Sequence, residues 1–322
     1  MLESLRRDFA YFALADEPAG EPVVDVALER GAPSYAALPP AVASFITPRN
    51  VVYQEEGRTI VDYFGRAVAV LERRAGHPSR LTIRGEEDQL VREAVYLFLL
   101  SRCGEHFDRM GLTRIHALGL AGAAGGVAVM LPAGGGKSTL AVRALRAEGI
   151  RLLSEDSPLL DRRGRLHPFP LPIGIDDSDV EGVRAEDLRR VERMEFRPKL
   201  LLDVEAFADR IEPDPQPLRH LVVGRRSLAE TPSLERIPRR AALGTLAREA
   251  VIGVGIYQGM EFVLQRGMRD TLAMTPIAVR RARCCFAGLS RARVWQLTLS
   301  RDGERNWVAL EPLLRSRSGV TG

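Results

Sequence analysis

The run from Gly125 to Ala141, GGVAVMLPAGGGKSTLA, constrains the fold more than any other part of the chain. GVAVML is short, partly β-branched and without alternation, which suits a strand buried on both faces. Three glycines follow at once. KSTLAVRALRAEG then carries Leu140, Ala141, Ala144 and Leu145 at helical spacing, with Gly149 as a stop signal. A strand that passes through a glycine-rich turn into a helix aims several backbone N–H groups at one point. The helix N-terminus adds about half a positive charge there, so the element is an anion site before any side chain is counted. The usual phosphate loop reads G-x-x-x-x-G-K-[S/T]. Gly136, Lys137 and Ser138 match its end, but Leu131 stands where the first glycine belongs. The positions that wrap phosphate come later, and Gly134, Gly135 and Gly136 are all present. Leu131 is therefore expected to reshape the entry and leave the cradle intact. The competing reading is a glycine-rich β–α turn with no ligand.

Composition bears on this choice. Of 46 basic residues only two are lysine, Lys137 and Lys199, and the rest are arginine. A chain that otherwise uses arginine keeps a compact ammonium where a planar guanidinium will not fit. One of the two lies inside the loop.

The remaining pattern places that element in an α/β chain with a mixed sheet. NVVYQ, TIVDYF, AVAVLE and SRLTIRG read as a β-meander over residues 50–84. A helix follows with Leu90, Val91, Ala94, Val95, Phe98 and Leu99 on one side and Gly111 as its end. RIHALGLAG and IRLLSED read as strands, and PLLDRRGRLHPFP as a hairpin around Arg163 and Gly164. The prolines from Pro168 to Pro172 demand extended chain. AEDLRRVERME reads as helix, KLLLDV, RHLVVG and RVWQLTLS as strands, and 239–256 and 259–288 as helices. Residues 212–217 form a surface loop, and Asp302-Gly303 a turn. A soft boundary near residue 85 separates a β-rich region, 1–85, from a nucleotide-binding domain, 86–322.

Two further groups could carry chemistry. Glu155 and Asp156 end a strand. In a parallel arrangement they share a sheet edge with the loop, where they could contact Mg²⁺ or accept a proton. They could equally form a turn or a helix cap. His116 lies in an apolar strand, the setting of a satisfied core histidine as much as of a functional one.

With these residues together, H…GGVAVMLPAGGGKST…EGIRLLSED resembles the catalytic domain of HPr kinase/phosphorylase and its smaller relatives. Their loop belongs to the phosphoenolpyruvate-carboxykinase-like class. In that family a histidine opens the strand before the loop, 21 residues ahead of the loop lysine, as His116 is 21 ahead of Lys137. The family's G-x-R-L-[VL]-[AS]-D-[DE] segment is matched by Gly149 to Asp156. The likeness covers about residues 112–175. It implies an HPr-kinase-like P-loop core behind the N-terminal meander, and an ATP-dependent kinase acting with Mg²⁺ on a serine-type hydroxyl. The acceptor would belong to a peptide or small protein, or be free serine or another small hydroxyl compound. Gly134, Gly135, Gly136, Lys137, Ser138 and Thr139 would bind the nucleotide, and Ser138 and Asp156 the metal. Glu155 would be the general base, with His116 and Lys137 at the phosphates. Three departures stand out: Leu131, Glu155 in place of aspartate, and no clear E-x-R-G-x-G signature. MEFRPKLLL keeps only Glu195 and Arg197 in the E-x-R spacing, with Lys199 beside them. A non-catalytic ATP-binding switch that presents a peptide is the alternative. A carboxykinase reading lacks the extra metal ligands.

Other classes are disfavoured. A net charge of +4 and 6% aromatics give no basic, aromatic stripe for nucleic acid. No apolar stretch is long enough for a bilayer, and the N-terminus lacks a signal-peptide core, so no membrane role and a cytoplasmic location are expected. Cys103, Cys284 and Cys285 form no disulfide or metal pattern. A homo-oligomer stays open.

Overall fold

In a computed structural model, the structure describes residues 2–13, 24–55, 57–72, 79–132, 134–175, 180, 183–192, 198–252 and 268–315. Within them lie a six-stranded sheet, a nine-stranded sheet and a three-stranded sheet, with helices between, so the fold is mixed α/β.

Helix α1 (Leu2–Asp8) leads into the first sheet, built from β1 (Val24–Arg30), β2 (Ala43–Ile46), β3 (Val51–Glu55), β4 (Arg58–Asp62), β5 (Ala67–Glu72) and β6 (Ser79–Gly85). From β2 to β6 each strand pairs antiparallel with the next; β3 to β6 are the meander read from the sequence, β2 extends it, and β1 adds to β6 in parallel. Helix α2 (Asp88–Met110) ends on Gly111, whose φ of 77° is the left-handed conformation that glycine adopts without a Cβ penalty. Its Leu90, Val91, Ala94 and Val95 pack with Ala67, Leu71, Leu81 and Ile83 of the sheet. Each leucine, valine or isoleucine among them stabilises the fold by roughly 1.5–3 kcal/mol on full burial.

The second sheet positions the loop. Its strands are β7 (Leu112–Arg114), β8 (Leu118–Gly122), β9 (Gly125–Met130), β10 (Arg151–Ser154), β11 (Leu159–Asp161), β12 (Arg165–His167), β16 (Gln216–Arg226), β17 (Ser233–Arg236) and β18 (Arg293–Leu299). β9 lies between β8, antiparallel to it, and β16, parallel to it, and β18 continues parallel on the far side of β16. Both faces are covered. Val127, Val129, Leu152 and Val222 point into a core shared with α3 (Lys137–Arg146), whereas Ala128, Met130, Leu153 and Leu221 point into another that contains Cys284, Cys285 and Leu289. Strands dry on both faces have no reason to alternate, which explains the continuous apolar runs.

The third sheet consists of β13 (Ile173–Ile175), β14 (Leu188–Val191) and β15 (Lys199–Leu202), in the order β13-β15-β14. Residues 185–191, expected as helix, form a single 3₁₀ turn and then β14. Four ladder pairs to β15 hold it extended. Arg189 also donates to Asp8 at 2.6 Å and Asp203 at 3.0 Å. Tertiary partners of this kind outweigh helix propensity, which differs by only about 0.7 kcal/mol among ordinary residues.

The region expected as helix from 239 divides into a 3₁₀ turn (Arg239–Ala242), α4 (Leu243–Leu246) and a π-helical turn (Ala247–Ile252). Helix α5 (Met268–Arg291) begins within the second expected helix and runs past its expected end at residue 288; residues 253–256 and 259–267 of these two expectations lie outside the described residues. Asp302 caps α6 (Gly303–Leu310) by accepting from the Glu304 and Arg305 N–H groups, and α7 (Pro312–Arg315) follows. No helix among the described residues is long and apolar enough to cross a membrane.

Candidate functional site

Sheet topology brings the three motif segments to one edge. β8 lies between β9 and β10 and is antiparallel to both. The beginning of β8 therefore meets the ends of β9 and β10. The expected arrangement was a parallel pair, and the intervening β8 is what adds His116 to the edge. His116 was expected within a strand; it occupies instead the bend between β7 and β8. Backbone bonds tie this bend to the acidic segment: Ile115 N donates to Pro158 O and Ala117 N to Asp156 O.

The loop itself is built for an anion. Gly134 (φ 63°) and Gly136 (φ 87°) adopt left-handed backbone conformations. Gly136 is the N-cap of α3 and supplies no side chain to cap it, so the first-turn N–H groups face the cavity uncovered. A Cβ on Gly136 would have nothing within 4 Å, and one on Gly134 would lie 2.5 Å from Arg226 Nη2. The structure thus opens space above the helix end and sets a guanidinium beside the turn. Leu131 does not obstruct it. Leu131 is 3% exposed, belongs to the core shared with α3, and lies over Gly224 of β16. The leucine at the first-glycine position is a core residue.

Around the loop the side chains form two connected groups. Lys137 Nζ lies 3.1 Å from Asp156 Oδ1 and 2.5 Å from His116 Nε2, and His116 Nε2 is itself 3.1 Å from the same Asp156 oxygen. His116 Nδ1 donates to Glu249 Oε2 at 2.7 Å, and Glu249 O accepts from His116 N. Arg248 Nε donates to Glu249 Oε1 at 2.7 Å. Separately, the Ser138 hydroxyl donates to Glu155 Oε1 at 2.6 Å. Thr139 also lines the cavity, its methyl packed toward Gly303 of α6.

The environments drive the two neighbouring acids apart. Burial raises the Glu155 carboxyl above its ordinary value, with the Asp156 charge adding to the rise. Burial also opposes ionisation of Asp156, but hydrogen bonds to His116 and Lys137 outweigh it and hold Asp156 at about 2. Burial would lower His116, yet its bonds to Asp156 and Glu249 win and raise it to about 9. Asp156 Oδ1, 3.1 Å from both His116 Nε2 and Lys137 Nζ, is the anion that the two share. Phosphate oxygens at this point would give Lys137 a second anionic partner beside Asp156, and His116 a third beside Asp156 and Glu249.

These groups line a cavity of about 730 Å³. One end is the loop. The other is walled by Asp8, Arg92, Tyr96 and Arg114 of the N-terminal half, with Phe169 beside them. Among the described residues no cluster of three or more His, Cys, Asp or Glu side chains would hold a metal alone. Mg²⁺ does not need one, because it takes one or two protein oxygens and completes its shell with phosphates and waters. Ser138 and Asp156 offer hard oxygens of that kind, and the uncapped α3 terminus fits a polyphosphate. Glu195 and Arg197 lie outside the described residues. Sequence reasoning missed Glu249, which is 133 residues from His116. Its only local signal is the π-helical turn, a feature frequent at functional sites.

The sequence matches no protein-family model and no curated protein.

Proposed function

We propose that this chain is an ATP-dependent kinase that transfers the γ-phosphoryl group to a serine-type hydroxyl on a peptide, a small protein or a small molecule. One observation carries the reading. An uncapped glycine-rich helix terminus, the Lys137–Asp156–His116 group and the Ser138–Glu155 pair meet in one cavity. Phosphoryl transfer asks a protein mainly for positioning and charge neutralisation. The backbone N–H groups after Gly134 hold phosphate oxygens, and Lys137 turns from Asp156 toward the outer phosphates. Mg²⁺, when bound through Ser138 and Asp156, would neutralise charge on the phosphates. Glu155, with its raised proton affinity, takes the proton of the acceptor hydroxyl. The acceptor oxygen bonds to the γ-phosphorus, and the bond to the β,γ-bridging oxygen breaks with its electron pair leaving on ADP. Asp156, held ionised, cannot serve as that base. Two carboxylates whose environments push them apart divide the roles of proton acceptor and fixed anion. Glu249 keeps His116 oriented.

The test uses purified protein, Mg²⁺ and γ-labelled ATP with serine and serine-containing peptides as acceptors. Label should move to a hydroxyl, and Glu155→Gln should abolish transfer with ATP still bound. ATP binding without transfer to any acceptor would favour the non-catalytic switch instead.

A further inference from the structure

The cavity contains a second lysine with no assigned work. β15 alternates cleanly: Leu200 and Leu202 pack into the core shared with α3, while Lys199 and Leu201 line the cavity. Gly174 on β13 and Val191 on β14 line the same face. Gly174 is opposite Leu201, so Lys199 lies diagonal to it across the ladder. The lysine stem crosses the place where a Gly174 side chain would be. A Cβ built on Gly174 would overlap Lys199 Cε and Nζ. The absence of a side chain at 174 is therefore the space in which Lys199 reaches the cavity. Lys199 Nζ has no hydrogen bond or ion pair with the described residues, in contrast to Lys137, which Asp156 holds.

We propose that Lys199 is a second catalytic cation of this site, which contacts the transferring phosphoryl group from the side of the three-stranded sheet, opposite Lys137, and that Gly174 is its seat. The inference rests on the kinase reading and deepens it. Lys137 holds the nucleotide in its ground state, as its place in the loop dictates. Lys199 approaches from another element, near Glu155, where charge accumulates on the phosphoryl oxygens as the bond to ADP breaks. A group of this kind contributes more to the transition state than to nucleotide binding. The Glu155 carboxylate also senses the Lys199 charge, which opposes the rise caused by burial.

The experiment compares Mg·ATP with Mg·ADP plus aluminium fluoride, a mimic of the transferring phosphoryl, by calorimetry. Wild type, Lys199→Met, Gly174→Ala and Lys137→Met are measured, with thermal melts as the folding control. Lys199→Met should bind Mg·ATP within about threefold of wild type yet lose about a hundredfold for the fluoride complex, the scale of one removed transition-state donor. Gly174→Ala keeps the lysine but denies its seat, and should show the same split. Equal affinities of wild type and Lys199→Met for the fluoride complex would overturn the role of Lys199 and leave the kinase reading standing. Loss of both ligands by the folded Lys199→Met variant would make it a ground-state contact and also overturn the proposal. Failure of wild type to bind either ligand would remove the kinase reading, and this inference with it.

Discussion

Restoring the consensus glycine should harm this protein. Leu131 is 3% exposed, inside the core shared with α3, and its Cδ2 lies over Gly224 on the neighbouring strand. Leu131→Ala removes a well-packed side chain that the sheet cannot collapse around, and should cost about 2–5 kcal/mol. Leu131→Gly adds the backbone entropy of glycine, about 0.5–1 kcal/mol more. The reciprocal change tests the packing: Gly224→Ala would thrust a Cβ into Leu131 Cδ2 and should cost about 1–3 kcal/mol. In Leu131→Ala/Gly224→Ala the new methyl enters the space that the leucine vacates. The double variant should then be more stable than the sum of its parts implies, by about 0.5–3 kcal/mol. Urea unfolding of wild type and the four variants gives these energies, and nucleotide titration of each reports the loop. Strict additivity, or a Leu131→Gly variant as stable as wild type with tighter nucleotide binding, would refute the assignment of Leu131 to the core.

Other consequences follow from the same geometry. Gly136→Ala should weaken binding of Mg·ATP more than it weakens the fold: the φ of 87° strains any residue with a Cβ, yet that Cβ meets no protein atom. Calorimetry against urea unfolding separates the two effects. His116 is raised from 6.5 to about 9, so its contribution is complete below about pH 6.5 and is lost as pH rises through about 9. The loss should reach about 3 kcal/mol, visible as a falling urea midpoint that His116→Asn no longer shows. Glu249→Gln should bring the His116 titration down toward its ordinary value, as followed by NMR, because one of the two carboxylates holding the imidazolium is gone. Arg281 donates to both oxygens of Asp108, at 2.9 and 2.7 Å, with both side chains 7% exposed, so Arg281→Met should destabilise by about 3–5 kcal/mol in thermal or urea unfolding.

The legible parts of this molecule are those whose cause is local. Glycines at 134 and 136 need left-handed backbone, the apolar run at 125–130 needs two dry faces, and the strands from β3 to β6 pair with their chain neighbours. Lys137 was conspicuous because lysine is so scarce in the chain. What stayed hidden depends on distant partners. β14 resembled a helix until Asp8, Asp203 and the β15 ladder drew it out. Glu249 carried no motif, and its value comes from the fold carrying it to His116. The run KLLL concealed its alternation because leucine serves both the core face and the cavity face, so the direction of Lys199 could not be read from pattern. The insertion of β8 between β9 and β10 is likewise a matter of topology, and it is what brings His116 to the loop.

Calorimetric titration of the purified protein with Mg·ATP, beside Lys137→Met, tests the central claim most directly. Saturable heat with one nucleotide per chain, abolished in the variant while its melting temperature holds, is the expected result. A folded wild-type protein that gives no heat, or a Lys137→Met variant that binds as wild type does, would contradict it.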